Sequence, residues 1–384
     1  MKLCIIGWRP WSVVMRYRSL ITNARQQGHK VFGIATGHYS MELVRLAFES
    51  LGVEYVCGWP RKIETYMGWV NKISPDAFFG EQYWSCITER ECKKWADAHG
   101  RKRVVVDHGG YWTDFTHHCH VLNNRDTIAV VNETAAHRAR KKTKARVAVI
   151  GAPELDVLAE PHNIGEIRKR LGTSDNQALV AVFLSAPNRM HKAKRQATQI
   201  AKEPERTARL MDMAKIEGWK VVVHLHPWIR SGRTSIGARA MIPYLQRMQD
   251  RGALFASSVI SGTANGIKFM KCNQAELITA ADAIVGSSVS TGPIAYAVGK
   301  KYFYYPKEEL PMGVFEKMVP AASKSTRDYL SMPNVVRIDG DFAAFATVIA
   351  GGDTLYEKDD EYTRRVFHRI DGGCWERLLN LAAK

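Results

Sequence analysis

Residues 2–35 begin the chain with a strand–helix–strand pattern, KLCIIGWRPWSVVMRYRSLITNARQQGHKVFGIA. Leu3–Gly7 is a short apolar run that ends in glycine, and Lys30–Ala35 is a second apolar run. Between them, Ser12–Gln27 has apolar residues at helical spacing and stops before Gly28. Buried strands that alternate with amphipathic helices are typical of a parallel sheet with helices on both faces.

This alternation continues along the chain and restarts after Pro153–Asn163. The further predicted strands are Glu54–Cys57, Ala77–Phe79, Arg103–Asp107, Thr127–Val131, Ala145–Ile150, Gln177–Leu184, Lys220–Leu225, Ala253–Phe255, Ala283–Val285 and Lys301–Tyr305. A length of 384 residues fits two domains. The sequence therefore predicts an α/β protein with two Rossmann-like, doubly wound parallel-sheet domains over 1–157 and 158–355. Helices over 356–384 are expected to pack back toward the N-terminal domain.

The chain is strongly basic, and its charge is uneven. It has 55 Lys and Arg against 38 Asp and Glu, a formal net charge of +17. Residues 1–150 carry 23 basic and 13 acidic side chains, whereas residues 251–384 carry 16 and 15. Such an excess predicts an anionic partner for the first half, either nucleic acid, a phosphate-rich polymer, a charged membrane surface or nucleotide phosphates.

Cysteine usage and the lack of a recognisable targeting signal predict a cytoplasmic protein. The seven cysteines form no Cys-x-x-Cys pair, so we expect neither a disulfide framework nor a zinc ribbon. The cluster His117-His118-Cys119-His120 lacks the spacing of a metal site, and no metal is predicted. The first apolar run is too short for a signal peptide, and no stretch is long enough to span a membrane.

Ligands of open parallel sheets bind beyond the carboxyl ends of the strands, so the residues after each predicted strand are the candidate site. Four strand ends carry suitable groups, namely Asp107-His108, Ser185–Arg189, His226-Pro227 and the stretch Ser287–Gly292. Small hydroxyl residues and glycine before a helix can bind phosphate through main-chain N–H groups, although the same residues are ordinary helix caps. No P-loop or dinucleotide fingerprint is present, which disfavours kinases, NTPases and NAD-dependent enzymes.

This ordered set resembles the GT-B glycosyltransferase superfamily, and within it CDP-glycerol glycerophosphotransferase-like enzymes and UDP-GlcNAc 2-epimerases. The resemblance covers roughly residues 100–305, and its motifs are His108-Gly109, Gly151–Asp156, Ser185–Arg189, Leu225-His226-Pro227 and the segment from Ala281-Asp282 to Gly299-Lys300. The chain departs from the family at Pro293–Tyr296, which lacks the acidic residue that holds the nucleotide ribose. It also has Ser287 where the family has an Asp before the serine-rich loop.

The resemblance implies two domains that face a cleft and a metal-independent transfer from a UDP-linked sugar, with no separate cofactor. The donor phosphates would bind the C-terminal domain at Ser287, Ser288, Ser290, Thr291 and Gly292, together with Arg189 and His226. His108 would deprotonate the acceptor hydroxyl, and the carboxylate of Asp107 would orient the imidazole.

The acceptor is expected on the basic N-terminal half, where aromatic and basic residues alternate. The candidate acceptor residues are Arg9, Trp11, Arg16, Arg18, Tyr111 and Trp112. Basic side chains neutralise phosphates and aromatic rings stack on bases, which favours DNA with hydroxylated bases as the acceptor. Four alternatives remain open: an envelope-polymer (teichoic-acid-like) transferase, a UDP-sugar 2-epimerase, a non-catalytic nucleic-acid-binding protein, and a purely structural role for these residues.

Overall fold

The structure of the chain is a computed structural model, and it covers most of both predicted halves. It describes residues 1–36, 41–58, 62–81, 87–107, 122–184, 207–225, 236–259, 261–264, 266–288, 290–305, 331–338 and 342–383, with the backbone alone for 236–241. These residues form two units. The first is Met1–Glu160 together with Asp359–Lys384, and the second is Pro161–Lys358.

The first unit is built on a seven-stranded sheet in the order β3-β2-β1-β4-β5-β6-β7, in which every neighbouring pair is parallel. The strands are β1 Lys2–Gly7, β2 Lys30–Ala35, β3 Glu54–Cys57, β4 Ala77–Glu81, β5 Lys102–Val106, β6 Asp126–Val130 and β7 Arg146–Val149. Its helices are α1 Arg18–Gln26, α2 Met41–Ser50, α3 Ile63–Ile73, α4 Ile87–Ala98, α5 Glu133–Arg140 and α6 Pro153–Asp156.

The second unit contains an eight-stranded sheet in the order β11-β12-β10-β9-β8-β13-β14-β15, parallel except for the β11–β12 pair. The strands are β8 Leu179–Phe183, β9 Lys220–His224, β10 Leu254–Ser257, β11 Gly262–Ala264, β12 Ile267–Lys271, β13 Ala283–Gly286, β14 Tyr302–Tyr304 and β15 Val335–Arg337. The helices are α7 Ile164–Arg170, α8 at 207–216, α9 Ile236–Asp250, α10 Gln274–Ala280, α11 Thr291–Ala297 and α12 Phe342–Ala350.

Central strands of both sheets are buried on both faces, which explains why they are apolar runs rather than alternating patterns. Leu3, Cys4, Ile5 and Ile6 of β1 are fully buried, and every residue of β8 is buried. A parallel sheet covered by helices on both faces requires this composition. The α/β architecture with two parallel-sheet units, predicted from the apolar runs, is confirmed.

The structure has three local features that the sequence did not predict. The predicted helix Ser12–Gln27 is instead a π-helical turn over Ser12–Arg16 followed by α1, because the N–H of Tyr17 bonds to the carbonyl of Ser12. Helix α9 begins at Ile236 and contains Pro243 in its interior. Strands β11, β12 and β15 were not predicted. Strands β11 and β15 have three residues each and lack a buried apolar run.

Two C-terminal helices, α13 Asp360–Phe367 and α14 Cys374–Ala383, belong to the first unit. The carboxylate of Asp156 accepts hydrogen bonds from the N–H groups of Cys374, at 3.2 Å, and Trp375, at 2.7 Å. Asp156 therefore caps α14. Burial raises the pKa of this carboxyl to about 6, although the hydrogen bonds from the two amides act to lower it. Arg377 also donates from Nε to the carbonyl of Ile150 at 2.7 Å.

Replacing Asp156 with Ala should lower the free energy of unfolding by about 2 kcal/mol, because two buried amides of α14 lose their acceptor. Urea unfolding followed by circular dichroism measures this loss. Glu376→Ala is the matched control, since Glu376 lies exposed in the first turn of the same helix. The control should change stability by less than about 0.5 kcal/mol. Equal stability of the two variants would contradict the capping role.

Candidate functional site

Several predicted site residues follow strands at positions that the structure leaves undescribed. His108, Tyr111 and Trp112 lie within 108–121, after β5, and thus outside the described residues. Arg189 and His226, which follow β8 and β9, also lie outside them. The described part of the candidate site is therefore the loop after β13, here called the serine loop (Gly286–Gly292, with Val289 not described), and the strand ends of the first sheet.

The serine loop is fixed tightly against β8. Gly286 has a φ of 155°, and a Cβ atom at this position would lie 2.2 Å from the carbonyl oxygen of Phe183. Only glycine fits this close approach. The main-chain N–H groups of Ser287 and Ser288 both donate to the same Phe183 oxygen, at 3.1 and 3.2 Å. These two amides are thus already used by the fold, although sequence reasoning had assigned them to a ligand.

Among the described residues, the other donors of the serine loop do not bond to Phe183. The hydroxyls of Ser288 and Ser290 lie 3.2 Å apart, and Ser290 is exposed. Among the described residues, no acceptor binds the amides of Ser290 and Gly292. The hydroxyl of Thr291 is fully buried and likewise has no hydrogen-bond partner there. A cluster of hydroxyl and amide donors without a carboxylate is suited to an anion.

Asn334 holds the helix that follows the serine loop, and sequence reasoning missed it. Its fully buried side chain donates from Nδ2 to the carbonyls of Gly292, at 3.0 Å, and Lys300, at 3.1 Å. These bonds connect α11 with the segment that enters β14. A single asparagine before a short strand carries no sequence signal for this role.

Both ends of the segment from Asp282 to Lys300 have structural partners. Lys300 donates from Nζ to the carbonyls of Ile278, Thr279 and Ala281 at 3.0, 2.8 and 2.6 Å, so it caps the carboxyl end of α10. Burial lowers its pKa to about 8. The carboxylate of Asp282 accepts from Arg168 at 2.8 Å and from the amide of Leu179 at 2.7 Å.

At the carboxyl edge of the first sheet, Arg16 lies in a buried ion-pair network. Its side chain is 1% exposed, with Nε 3.4 Å from Glu154 and NH1 3.9 Å from Glu81. The guanidinium also lies 5.5 Å from the ring centroid of Trp11. Burial and the carboxylate of Glu81 raise the pKa of the neighbouring Tyr17 well above its usual value. Arg16 is therefore a core residue of this unit, and we leave it out of the acceptor site.

The remaining acceptor candidates that the structure describes are only partly accessible. Arg18 forms an ion pair with Glu160 at 3.0 Å, and Arg9 and Trp11 are half-buried. Asp107 is buried directly after β5, and its amide donates to the carbonyl of Ala129 at 2.9 Å. Glu81 and Glu154, which were not among the predicted site residues, are the ion-pair partners of Arg16.

Two general features concern the described residues alone. Within them, no group of three or more His, Cys, Asp or Glu side chains is placed to hold a metal ion. No helix in the same part of the chain is long and apolar enough to cross a membrane.

Comparisons of sequence give no match, neither with a protein-family model nor with a curated protein. Comparison of structures gives clear similarities. UDP-GlcNAc 2-epimerase from Neisseria meningitidis, solved with UDP-GlcNAc, is 12% identical with a TM-score of 0.55 over 100% of both chains. The wall teichoic acid polymerase TagF is 10% identical with a TM-score of 0.57, over 100% of this chain and 88% of that chain.

A co-structure of MnaA from S. aureus with UDP is also similar, with 12% identity and a TM-score of 0.54 over 99% of this chain and 95% of that chain. At such low identities these similarities concern the fold. The two parallel-sheet units and these neighbours agree with the resemblance found in the sequence. The chain has the GT-B fold.

Proposed function

We propose that this chain is an enzyme that uses a nucleoside diphosphate-linked sugar and transfers the sugar to a hydroxyl group of an anionic acceptor. The observation that carries the proposal is the serine loop, whose hydroxyls, together with amides that have no acceptor among the described residues, are suited to an anion. The GT-B fold supports it, since similar structures were solved with UDP and with UDP-GlcNAc.

The serine loop would bind the diphosphate through the hydroxyls of Ser288 and Ser290 and the amides of Ser290 and Gly292. These donors are held in place before the ligand arrives, because Phe183 fixes one end of the loop and Asn334 the other. Preorganised donors stabilise the charge that develops on a leaving diphosphate. Arg189 and His226 would add positive charge at the same sheet edge, as the sequence predicts.

The transfer step requires a base for the acceptor. The acceptor oxygen would form a bond with the anomeric carbon of the sugar while the bond between that carbon and the phosphate oxygen breaks. The nucleoside diphosphate leaves, and the acceptor proton passes to the imidazole of His108. Asp107, buried at the end of β5, would orient this imidazole.

The double variant Ser288→Ala/Ser290→Ala should bind UDP and UDP-GlcNAc about 10- to 100-fold more weakly, because two hydrogen bonds to charged phosphate oxygens are lost. Isothermal titration calorimetry measures the change. Ser174→Ala/Thr263→Ala is the matched control, since both hydroxyls are exposed in the same unit and lie outside the loop. An unchanged affinity of the loop variant, or a wild-type protein that binds neither nucleotide, would contradict the proposal.

The variant His108→Ala should retain nucleotide affinity and lose transfer by at least about 100-fold in kcat, as expected for removal of a general base. The transfer assay uses a radiolabelled nucleotide sugar, and calorimetry reports nucleotide binding in parallel. His137→Ala, which changes an exposed histidine on α5, serves as the control. Full turnover by the His108 variant would remove this residue from the base role.

For the acceptor, we extend the proposal to DNA with hydroxylated bases, on the strength of the basic excess in residues 1–150. The second candidate is an envelope polymer of the teichoic acid type, favoured by the similarity to TagF. We place the reaction in the cytoplasm, because all the cysteines that the structure describes are free.

Incubation of DNA containing 5-hydroxymethylcytosine with a panel of nucleotide sugars should add the mass of one sugar to the modified base, as read by mass spectrometry of its nucleosides. Unmodified DNA is the control and should gain no mass. Transfer to a glycerol phosphate polymer, with none to DNA, would identify the envelope polymer as the acceptor instead of DNA. Conversion of UDP-GlcNAc to its 2-epimer without any acceptor would instead identify an epimerase.

A further inference from the structure

Basic residues line the amino edge of the first sheet. All seven strands are parallel, so their first residues lie at the same edge. Lys2, Lys30, Lys102 and Arg146 are the first residues of β1, β2, β5 and β7. Arg125 directly precedes β6, and Lys144 lies two residues ahead of β7. We call these six residues the cationic edge.

The residues of the cationic edge form a row that runs across the strands. The order β2-β1-β4-β5-β6-β7 places Lys30 and Arg146 five strand spacings apart, which is about 24 Å at a usual spacing of about 4.8 Å. Lys30, Arg125, Lys144 and Arg146 are exposed, and Lys2 and Lys102 are half-buried. The row therefore presents positive charge along most of the width of the sheet.

The acidic residues at this edge pair mainly with basic side chains outside the row, and Asp76 also accepts the main-chain N–H of Lys2 at 2.8 Å. Asp76 pairs with Arg101 at 3.2 Å, and Asp97 pairs with Lys93 at 2.8 Å. Asp126 is buried and bonded to Arg103. Glu54, at the start of the outermost strand β3, is exposed.

Four side chains of the cationic edge form no ion pair or hydrogen bond with the part of the chain that is described. No ion pair or hydrogen bond there involves the side chains of Lys30, Lys102, Lys144 or Arg146. Their charge is therefore available to an external partner.

This surface is separate from the proposed transfer site. The site lies at the carboxyl edge of the sheets, and a five-residue strand such as β5 puts about 16 Å between the two edges. Arg16 and Arg18, two of the three basic residues expected to bind the acceptor, are paired with glutamates. The proposed chemistry therefore does not account for the charge at the amino edge.

We propose that the cationic edge binds the phosphate backbone of duplex DNA without sequence preference. A row of about 24 Å matches the phosphates of about seven base pairs at 3.4 Å each. Arg and Lys side chains supply many of the phosphate contacts that position a protein on DNA without reading its sequence. A lipid surface fits less well, because membrane docking uses exposed apolar side chains. Among the described residues, Met1 is the one exposed large apolar residue beside this row.

This inference goes beyond the proposed function and holds whether or not the enzyme modifies DNA. The edge would tether the protein to the polymer, which raises the local concentration of any acceptor on it. The test therefore contains no nucleotide sugar, so that its failure and the failure of the transfer proposal are distinguishable.

The test variant is Lys30→Gln/Lys102→Gln/Lys144→Gln/Arg146→Gln. Its control, Lys169→Gln/Lys215→Gln/Lys268→Gln/Lys271→Gln, removes the same number of positive charges from exposed positions of the second unit. Fluorescence anisotropy with a fluorescein-labelled duplex of random sequence, in a series of NaCl concentrations, gives Kd and its salt dependence. The edge variant should bind at least about 30-fold more weakly near 0.1 M salt, with a log–log salt slope reduced by about 3 to 4. The control should stay within about twofold of the wild type.

Three results would overturn the inference: no duplex binding by the wild type, equal affinity of the edge variant and the wild type, or equal losses in the edge variant and the control. Thermal unfolding of each variant confirms that the fold is intact. Binding to vesicles of phosphatidylserine and phosphatidylcholine is measured alongside. A variant that loses vesicle binding and keeps duplex binding would assign the edge to a membrane instead.

Discussion

Parallel pairing of the strands is the constraint on which the rest of this structure depends. When all strands run in the same direction, every carboxyl end lies at one edge and every amino end at the other. In the first unit this separates two kinds of residue. Glu81 and Asp107 come to one edge, and Lys30, Lys102 and Arg146 come to the opposite edge. A single pairing pattern thus creates two chemically different surfaces on one sheet.

A contact between β8 and β13, which are neighbours in the sheet but distant in sequence, determines which donors of the serine loop are used by the fold. The carbonyl of Phe183 accepts hydrogen bonds from the amides of Ser287 and Ser288. It also occupies the space that a side chain at Gly286 would need. The fold therefore uses two amides of the loop, whereas the hydroxyls of Ser288 and Ser290 lie 3.2 Å from each other. Rigid support of this kind is what an anion site needs, since donors that are already oriented lose little freedom on binding.

Several charged residues have structural rather than ligand-binding partners. Arg16 is enclosed with Glu81 and Glu154, and Lys300 closes the end of α10. Buried charges of this type add little net stability, yet removal of one partner is costly because the other stays buried and unpaired. In the first half, Arg16 and Arg103 are thus used in internal pairs, whereas Lys30, Lys144 and Arg146 of the cationic edge are exposed.

The sequence alone determined the positions of most strands, the two-unit α/β architecture and the location of the serine loop at a strand end, because buried parallel strands must be continuous apolar runs. It did not determine the π-helical turn before Tyr17, the strands β11 and β15, or the role of Asn334. Only the tertiary structure decided which charges are buried and which face solvent. The reason is physical: the partners of Arg16 and Asp156 lie 138 and 218 residues away along the chain, and no local pattern encodes such contacts.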